Sequence, residues 1–419
     1  MSRTTSTEPP KTAGLTAVAG TDGSPSGIDD ARIAERLRSP IARRKMFEES
    51  ITVLVFLLIF LGFGLWLQDT FLNVSARMLD VHQSVPVLML GLAVIVTLIP
   101  GKFDLSVSGV ATLTTFAVVG LTVKNELPFP VAVGAAVAVG LGVGLINGVL
   151  VEYLNVNAFI ATLGTGAICT GLAAVYSNGA YLGATPGTPD MPTWFRNFGT
   201  FVNKPPVAIV WVMIVLAVVG AFFVVDRFRP AAWSKTRWLV AKSAMFVSVI
   251  LVLQFVTLLS TWVAQVSWML LMLLLVALTM AVLLQYTTFG RQLQAIGSNR
   301  SAAALAGVRV RRQVVKSFVL GGFLAALAGI SIAASQGSAS PDVASAFLLP
   351  AFAAAFLSTV VFSDGRFTVG GTIIGGVFVV WVGIGLIVGG LPSTWTNVIN
   401  GGVLIGAVSL STAVRRRRT

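Results

Sequence analysis

The sequence is short of charge, of cysteine and of histidine. Only 11% of its 419 residues are charged, against about 25% in an ordinary soluble domain, and its mean hydropathy is +0.87. A single cysteine, Cys169, excludes an intrachain disulfide and a cysteine metal framework. A single histidine, His82, excludes a histidine pair for catalysis, and its polar surroundings predict a solvated loop.

Recognisable catalytic machinery is also missing. The sequence contains no Gly-x-x-x-x-Gly-Lys-Ser/Thr phosphate-binding loop, no nucleophile–base pair and no metal-ligand cluster. We therefore predict neither an enzyme nor a bound cofactor or metal. Of the sixteen acidic residues, only Asp104 lies away from the N-terminal segment, a loop or a span end. This scarcity disfavours a proton-relay transporter, although a sodium site made of carbonyls and hydroxyls would escape the argument.

What the sequence does have is uncharged apolar runs of about 20 residues, the length of helix that crosses the hydrocarbon core. These runs predict an all-α polytopic membrane protein with about 12 transmembrane helices. The predicted spans lie near 49–68, 84–100, 105–122, 130–151, 157–177, 207–225, 239–261, 264–285, 315–336, 344–362, 368–390 and 396–413.

The distribution of the 29 lysines and arginines predicts the orientation. With the N-terminus inside, 25 of them fall in inner segments and four in outer segments, as the positive-inside rule requires. Both termini are then cytoplasmic, and the net charge of +13 needs no nucleic-acid partner. The predicted location is the cytoplasmic membrane.

Three regions follow from this pattern. Residues 1–46 form a cytoplasmic N-terminal segment, 47–414 a transmembrane domain and 415–419 a basic cytoplasmic tail. Up to Gly27 the N-terminal segment has the composition of a disordered chain. Beyond it, Ile33, Leu37 and Ile41 share one helical face among arginines, which fits either a helix lying on membrane lipid or a solvated linker.

Four polar residues in or between apolar runs are candidates for a translocation path: Asp104, Ser106, Asn147 and Thr162. Pro100 and Gly101 break the helix before Asp104, whose carboxylate is suited to cap the next helix or to contact a substrate. For Asn147 and Thr162, which lie within predicted helices, hydrogen bonding between helices is the ordinary role, and lining a translocation path is the more specific alternative.

Glycines at a spacing of four predict close helix packing. Gly140, Gly144 and Gly148 make two overlapping small-xxx-small steps, which let helix backbones approach in lipid.

A polar and basic insert, 289–312, separates two of the apolar runs. It is nearly the only stretch after residue 50 that is suited to contact with water and with another protein.

Four motifs resemble the ribose/xylose-type permeases of bacterial ATP-binding-cassette (ABC) sugar importers: Asp104-Leu-Ser-Val-Ser-Gly109, Gly144-Leu-Ile-Asn-Gly-Val-Leu-Val151, Asn157-Ala-Phe-Ile-Ala-Thr-Leu-Gly-Thr165 and Thr288-Phe-Gly-Arg-Gln-Leu-Gln-Ala-Ile-Gly-Ser-Asn299. They occur in the family's order between about 50 and 413. Related amino-acid permeases typically have an Asn-Leu-Ala-type run in place of Asp-Leu-Ser, so the sugar branch is favoured.

The resemblance implies a role for the insert as the loop that docks on the ATPase subunit. The matching residues are Gly297, Ser298, Asn299, Ala302, Ala303 and Gly307. It also implies an extracytoplasmic solute-binding protein and a second permease copy or paralogue. The family core has ten spans, so Arg229 to Gln265 is an extra hairpin here. Lys102, next but one to Asp104, is a further departure from the family pattern.

Two other function classes remain open at this stage. A self-sufficient secondary transporter would be driven by an ion gradient, and a membrane scaffold would carry no solute. The sequence does not name the sugar, because the family's selectivity lies mostly in the binding protein.

Overall fold

The computed structural model describes residues 56–186, 189–214, 256–361 and 365–416. The first half contains α1 (Phe56–Leu72), α2 (Val74–Gln83), α3 (Val85–Leu98), α4 (Val107–Val123), α5 (Phe129–Glu152), α6 (Ala158–Ser177), β1 (Leu182–Gly183), α7 (Thr193–Gly199) and a helical stretch at 207–214. The second half contains α8 (Val256–Val263), α9 (Trp268–Tyr286), α10 (Thr288–Ser298), α11 (Arg300–Leu305), α12 (Val310–Gln336), β2 (Ser338–Ala339), a 3₁₀ turn (Ser345–Phe347), α13 (Leu348–Val361), α14 (Val369–Val388), a second 3₁₀ turn (Ser393–Trp395) and α15 (Thr396–Arg416).

The predicted all-α class is confirmed. In the described ranges the strands are two residues each, and they pair antiparallel with Leu182 opposite Ala339. Five described helices, α5, α6, α9, α12 and α14, are long and apolar enough to cross a membrane, and α1 with α2 makes a sixth candidate bent by 93°. The count of twelve spans stays a prediction, because two of them lie largely in 215–255, outside the described residues. Also outside the described residues are the N-terminal segment 1–46, most of the hairpin 229–265 and residues 417–419.

Helix α12 is the centre of the bundle. In its most apolar window 72% of the residues are buried, against 22% for α5 and 28% for α6, whose outer faces carry apolar side chains suited to lipid. It packs against α5, α3 and α4. All fourteen residues of α3 are buried as well, so α3 is a helix enclosed by protein rather than by lipid.

Three glycines let α5 approach α12 at backbone distance. A Cβ at Gly140 would collide with the Gly322 carbonyl, and one at Gly148 would lie 2.9 Å from the Cα of Val315. Between them, a Cβ at Gly144 would meet the carbonyl of Phe318. Larger residues at these positions would separate the helices, and dispersion contacts would be lost along the interface.

His82 does not occupy a solvated loop, so that expectation is wrong. It lies in α2, is 4% exposed, and its Nε2 is 3.1 Å from the carbonyl oxygen of Gly199. Its Nδ1 is 2.8 Å from the hydroxyl of Ser267. Both partners are more than a hundred positions away in sequence, and only the tertiary packing of α2 supplies them.

Candidate translocation and coupling site

The chain breaks between α3 and α4 for a local reason. Pro100 cannot continue the amide ladder of α3, and Gly101 adopts φ +81°, a left-handed conformation that favours glycine. The amide of Lys102 then donates to the carbonyl of Thr97 at 2.9 Å, which closes the turn. We call residues 99–106 the break segment.

The carboxylate of Asp104 organises the end of this segment. Its Oδ1 accepts from the amide of Ser106 at 2.9 Å and from the Ser106 hydroxyl at 2.6 Å. Ser106 is the residue before the first helical residue of α4, so the carboxylate satisfies one of the free amides at that helix start. Asp104 is 1% exposed. In this conformation it therefore has a structural partner and no contact with bulk water.

Asn147 extends the arrangement to two further helices. Its Nδ2 donates to the Ser106 hydroxyl oxygen at 2.8 Å, and its Oδ1 accepts from the Thr165 hydroxyl at 2.7 Å. Asp104, Ser106, Asn147 and Thr165 thus form a continuous chain of hydrogen bonds, which we call the polar chain. It ties the break segment to α5 and α6 inside an apolar bundle.

The Thr162 side chain bonds to the backbone of the break segment. Its hydroxyl accepts from the amide of Leu105 at 3.1 Å and donates to the carbonyl of Ala158 at 2.8 Å. The structure therefore brings all four candidate path residues together around the break segment. All four are buried, and each makes a side-chain hydrogen bond within the break segment or between it and a neighbouring helix.

Two members of this region were not among the predicted site residues. Thr165 completes the polar chain, and Gly109 lets α4 touch α6, since a Cβ on Gly109 would collide with the Gly166 carbonyl. Thr165 stands three positions after Thr162 in the sequence motif. That spacing on a helix, which puts both hydroxyls on one side, was the available signal.

The basic insert folds into two short helices and the start of α12. Asn299 has extended backbone (φ −156°, ψ 106°), which ends α10, and its side chain accepts from the amide of Ala302 at 2.9 Å, which caps α11. Gly307 then adopts φ +83° and ends α11. Asn299 and Gly307 thus determine where the short helices α10 and α11 end.

Ala303 packs inward, whereas the family resemblance implied that it docks on the ATPase subunit. It is 5% exposed and lies in a cluster with Ile296 and Val314. Besides Arg300, the exposed residues of α11 are Ser301, Ala302, Ala304 and Leu305, and Leu305 is 92% exposed. We call these four residues the docking face.

The end of α10 rests on the break segment. A Cβ on Gly297 would collide with the carbonyl oxygen of Ile99, so only glycine permits this approach. A cavity of about 570 Å³ lies beside the contact, lined among others by Gly101, Arg291 and Arg366. Segments that the charge pattern assigned to one side of the membrane therefore meet at one end of the bundle.

Glu152, at the end of α5, joins the insert to the break segment by charge. Its carboxylate accepts from both terminal nitrogens of Arg300, at 3.0 and 2.5 Å, and lies 3.4 Å from the Lys102 ammonium. The hydrogen bond to Glu152 raises the pKa of Arg300. Lys102 thus pairs with Glu152, although its sequence position suggested Asp104 as the neighbour.

Comparison with known protein families identifies the family to which this chain belongs. The profile of a family described as "Branched-chain amino acid transport system / permease component" matches residues 81–408. The chain belongs to this permease family. The match covers the break segment, the polar chain and the insert, and it makes the protein a transport component with several membrane-crossing helices.

Similar curated proteins are permeases of import systems. A galactose/methyl galactoside import permease of Haemophilus influenzae is 28% identical over 387 residues, 89% of this permease and 97% of the relative. A xylose transport system permease of the same organism is 27% identical, over 78% and 86% of the two chains. An autoinducer 2 import system permease of Photorhabdus luminescens is 24% identical, over 85% and 88%. No solved structure matches this permease.

Proposed function

We propose that this permease is the membrane-spanning subunit of an ATP-binding-cassette importer for a monosaccharide or a related small polar solute. One observation carries the proposal: an exposed docking face is continuous, through Gly297 and Ile99, with a broken helix at the bundle's polar chain. A permease that is driven by a separate ATPase subunit needs a physical connection between the surface that binds the ATPase and the translocation path.

The ATPase subunit is the partner that we assign to the docking face. Its small residues permit close approach, and Leu305 is an apolar side chain that the described part of the chain leaves uncovered. Arg309 and Arg312 flank it and suit acidic groups on a partner. An exposed large apolar side chain among small and basic ones is typical of an interface centre and its rim.

The same assignment sets the orientation. We infer that the docking face, Glu152 and both termini are cytoplasmic, since the charge pattern puts 25 of 29 lysines and arginines on that side. Residues 1–46 and 415–419 would then flank a membrane domain of 47–414 on the cytoplasmic side. A solute-binding protein would deliver substrate at the opposite end, and a second copy or a paralogue would complete the path.

The solute class follows from the relatives' names and the Asp-Leu-Ser run at Asp104. The relatives are named for import of galactose, xylose and autoinducer 2. These are small polyhydroxylated or otherwise polar molecules. We therefore favour a monosaccharide over a branched-chain amino acid, although the family description names the latter.

Uptake by reconstituted vesicles tests the proposal. The permease, its cognate ATPase and its binding protein are reconstituted, and radiolabelled galactose, xylose and leucine are offered with and without ATP. We expect ATP-dependent uptake of a sugar and none of leucine. Uptake by the permease alone under a sodium or proton gradient would establish a secondary transporter instead, and no flux under any condition would refute transport.

The docking face is tested separately by Leu305→Asp. A charge at this exposed position should weaken retention of the ATPase by about tenfold or more, because about 1.5–3 kcal/mol of leucine burial is lost and a carboxylate is desolvated. Val202→Asp is the matched control, since Val202 is 87% exposed and lies away from the insert. Co-purification of the ATPase is the measurement, and equal retention by both variants would remove the docking assignment.

A further inference from the structure

Glu152 is a buried carboxylate that serves two cations from different parts of the chain. Its side chain is fully buried, whereas Arg300 and Lys102 are 47% and 26% exposed. Arg300 is the first residue of α11, and Lys102 lies in the break segment, two residues before Asp104. Glu152 itself ends α5, the helix that carries Asn147.

The geometry of the pair with Arg300 is directional. Two parallel N–H···O bonds fix the plane of the guanidinium against the carboxylate, which a single lysine contact cannot do. The carboxylate cannot leave this arrangement without an unpaired buried charge, which is strongly unfavourable. The start of α11 is therefore anchored to the end of α5 in position and in angle.

The contact between Gly297 and Ile99 works in one direction only. Backbone atoms in van der Waals contact resist compression strongly, but their attraction is weak when they are drawn apart. A transport cycle has to return the break segment as well as push it. The ion pairs of Glu152 resist separation, so they hold α11 and the break segment together when the two are drawn apart, which the glycine contact cannot do.

We propose that Glu152 is a positioning residue that carries movement of α11 back to the break segment through Arg300 and Lys102. The inference rests on the proposed function, because it assumes that an ATPase moves the docking face. It adds a specific residue and a direction of force. Glu152 acts through the segment that holds Asp104.

The readout is the number of sugar molecules imported per ATP hydrolysed by the reconstituted importer. Glu152→Gln keeps the shape of the side chain and removes its charge. We expect sugar imported per ATP hydrolysed to fall by about tenfold or more, and because the ratio is taken per ATP hydrolysed, a lower retention of the ATPase does not by itself change it. A residue with a merely structural role would lower the amount of active complex and leave this ratio unchanged.

Lys102→Gln is the second variant, because it leaves the Arg300 pair and the docking face intact. It should lower the same ratio, and it decides the matter if Glu152→Gln fails to accumulate. Glu126→Gln is the control, an exposed acid in the loop after α4 that should change nothing. Wild-type ratios in both Glu152→Gln and Lys102→Gln, or in Lys102→Gln alone when the other is not obtained, would overturn the inference. Absence of ATP-driven uptake by the wild type would instead refute the proposed function.

Discussion

Asn147 is the side chain through which three elements of the polar chain are joined, and its removal can be worked out quantitatively. Asn147→Ala deletes the donor to Ser106 and the acceptor from Thr165. Ser106 still donates to Asp104, and the Thr165 hydroxyl lies 3.2 Å from its own helix carbonyl at Thr162, to which it can revert. The loss is therefore two hydrogen bonds with partial compensation at both ends.

The size of the effect depends on the solvent of the unfolded state. A buried bond in a soluble protein would be valued at about 1–3 kcal/mol once a partner is left unsatisfied. Within a membrane the reference state also finds partners, and measured pair energies average about 0.6 kcal/mol with a maximum near 1.7. We therefore expect Asn147→Ala to lower the free energy of unfolding by about 1–3 kcal/mol in total.

A double-mutant cycle isolates the pair with Thr165. The variants Asn147→Ala, Thr165→Val and their combination are unfolded from lipid–detergent micelles by titration with a denaturing detergent. We expect a coupling free energy of about 0.6–1.7 kcal/mol. Thr170→Val is the matched control, because among the described residues the Thr170 hydroxyl bonds only to its own helix carbonyl at Gly166. A coupling energy for Thr165 no larger than that for Thr170 would refute the polar chain.

Three further predictions concern the same region, each measured as the free energy of unfolding in micelles. Gly144→Ala should destabilise by about 1–3 kcal/mol through overpacking against α12, whereas Gly142→Ala, in open space on the same helix, should stabilise by up to about 1 kcal/mol; similar values for the two would contradict the packing argument. Gly101→Ala should cost about 1–2 kcal/mol because φ is +81°, and no cost would mean a different turn. Thr162→Val should cost about 1–3 kcal/mol by leaving the Leu105 amide without its acceptor, and an unchanged value would show that another group replaces it.

The candidate site was partly predictable because some of its residues carry local signals. Pro100 and Gly101 announce a break wherever they stand, and Asn147 is conspicuous as an amide in an apolar helix. Glycines at a spacing of four announce a close helix contact, but they do not say which helix is the partner. The structure identifies that partner as α12. Gly144 meets Phe318 and Gly140 meets Gly322, each 174 or more positions away in sequence.

Other residues carried no local signal. Glu152 reads in sequence as an ordinary acid at a span end, and its two cations come from 50 positions before it and 148 after it. Ala303 looks identical to Ala302 in sequence, but in a helix of six residues Ala302 is exposed and Ala303 is buried. His82 reads as a loop histidine because its partners belong to other elements.

By itself the sequence determined the class of molecule: an apolar, glycine-rich, all-α membrane protein with one basic insert and no ATP-binding loop of its own. Those properties depend on composition and on periods of three to four residues, which the chain displays locally. Tertiary structure alone decided that the insert touches the break segment, that Glu152 links the two, and which face of α11 remains exposed. Such contacts depend on helices that meet after the chain has folded, and burial and pairing are properties of that meeting rather than of any single segment.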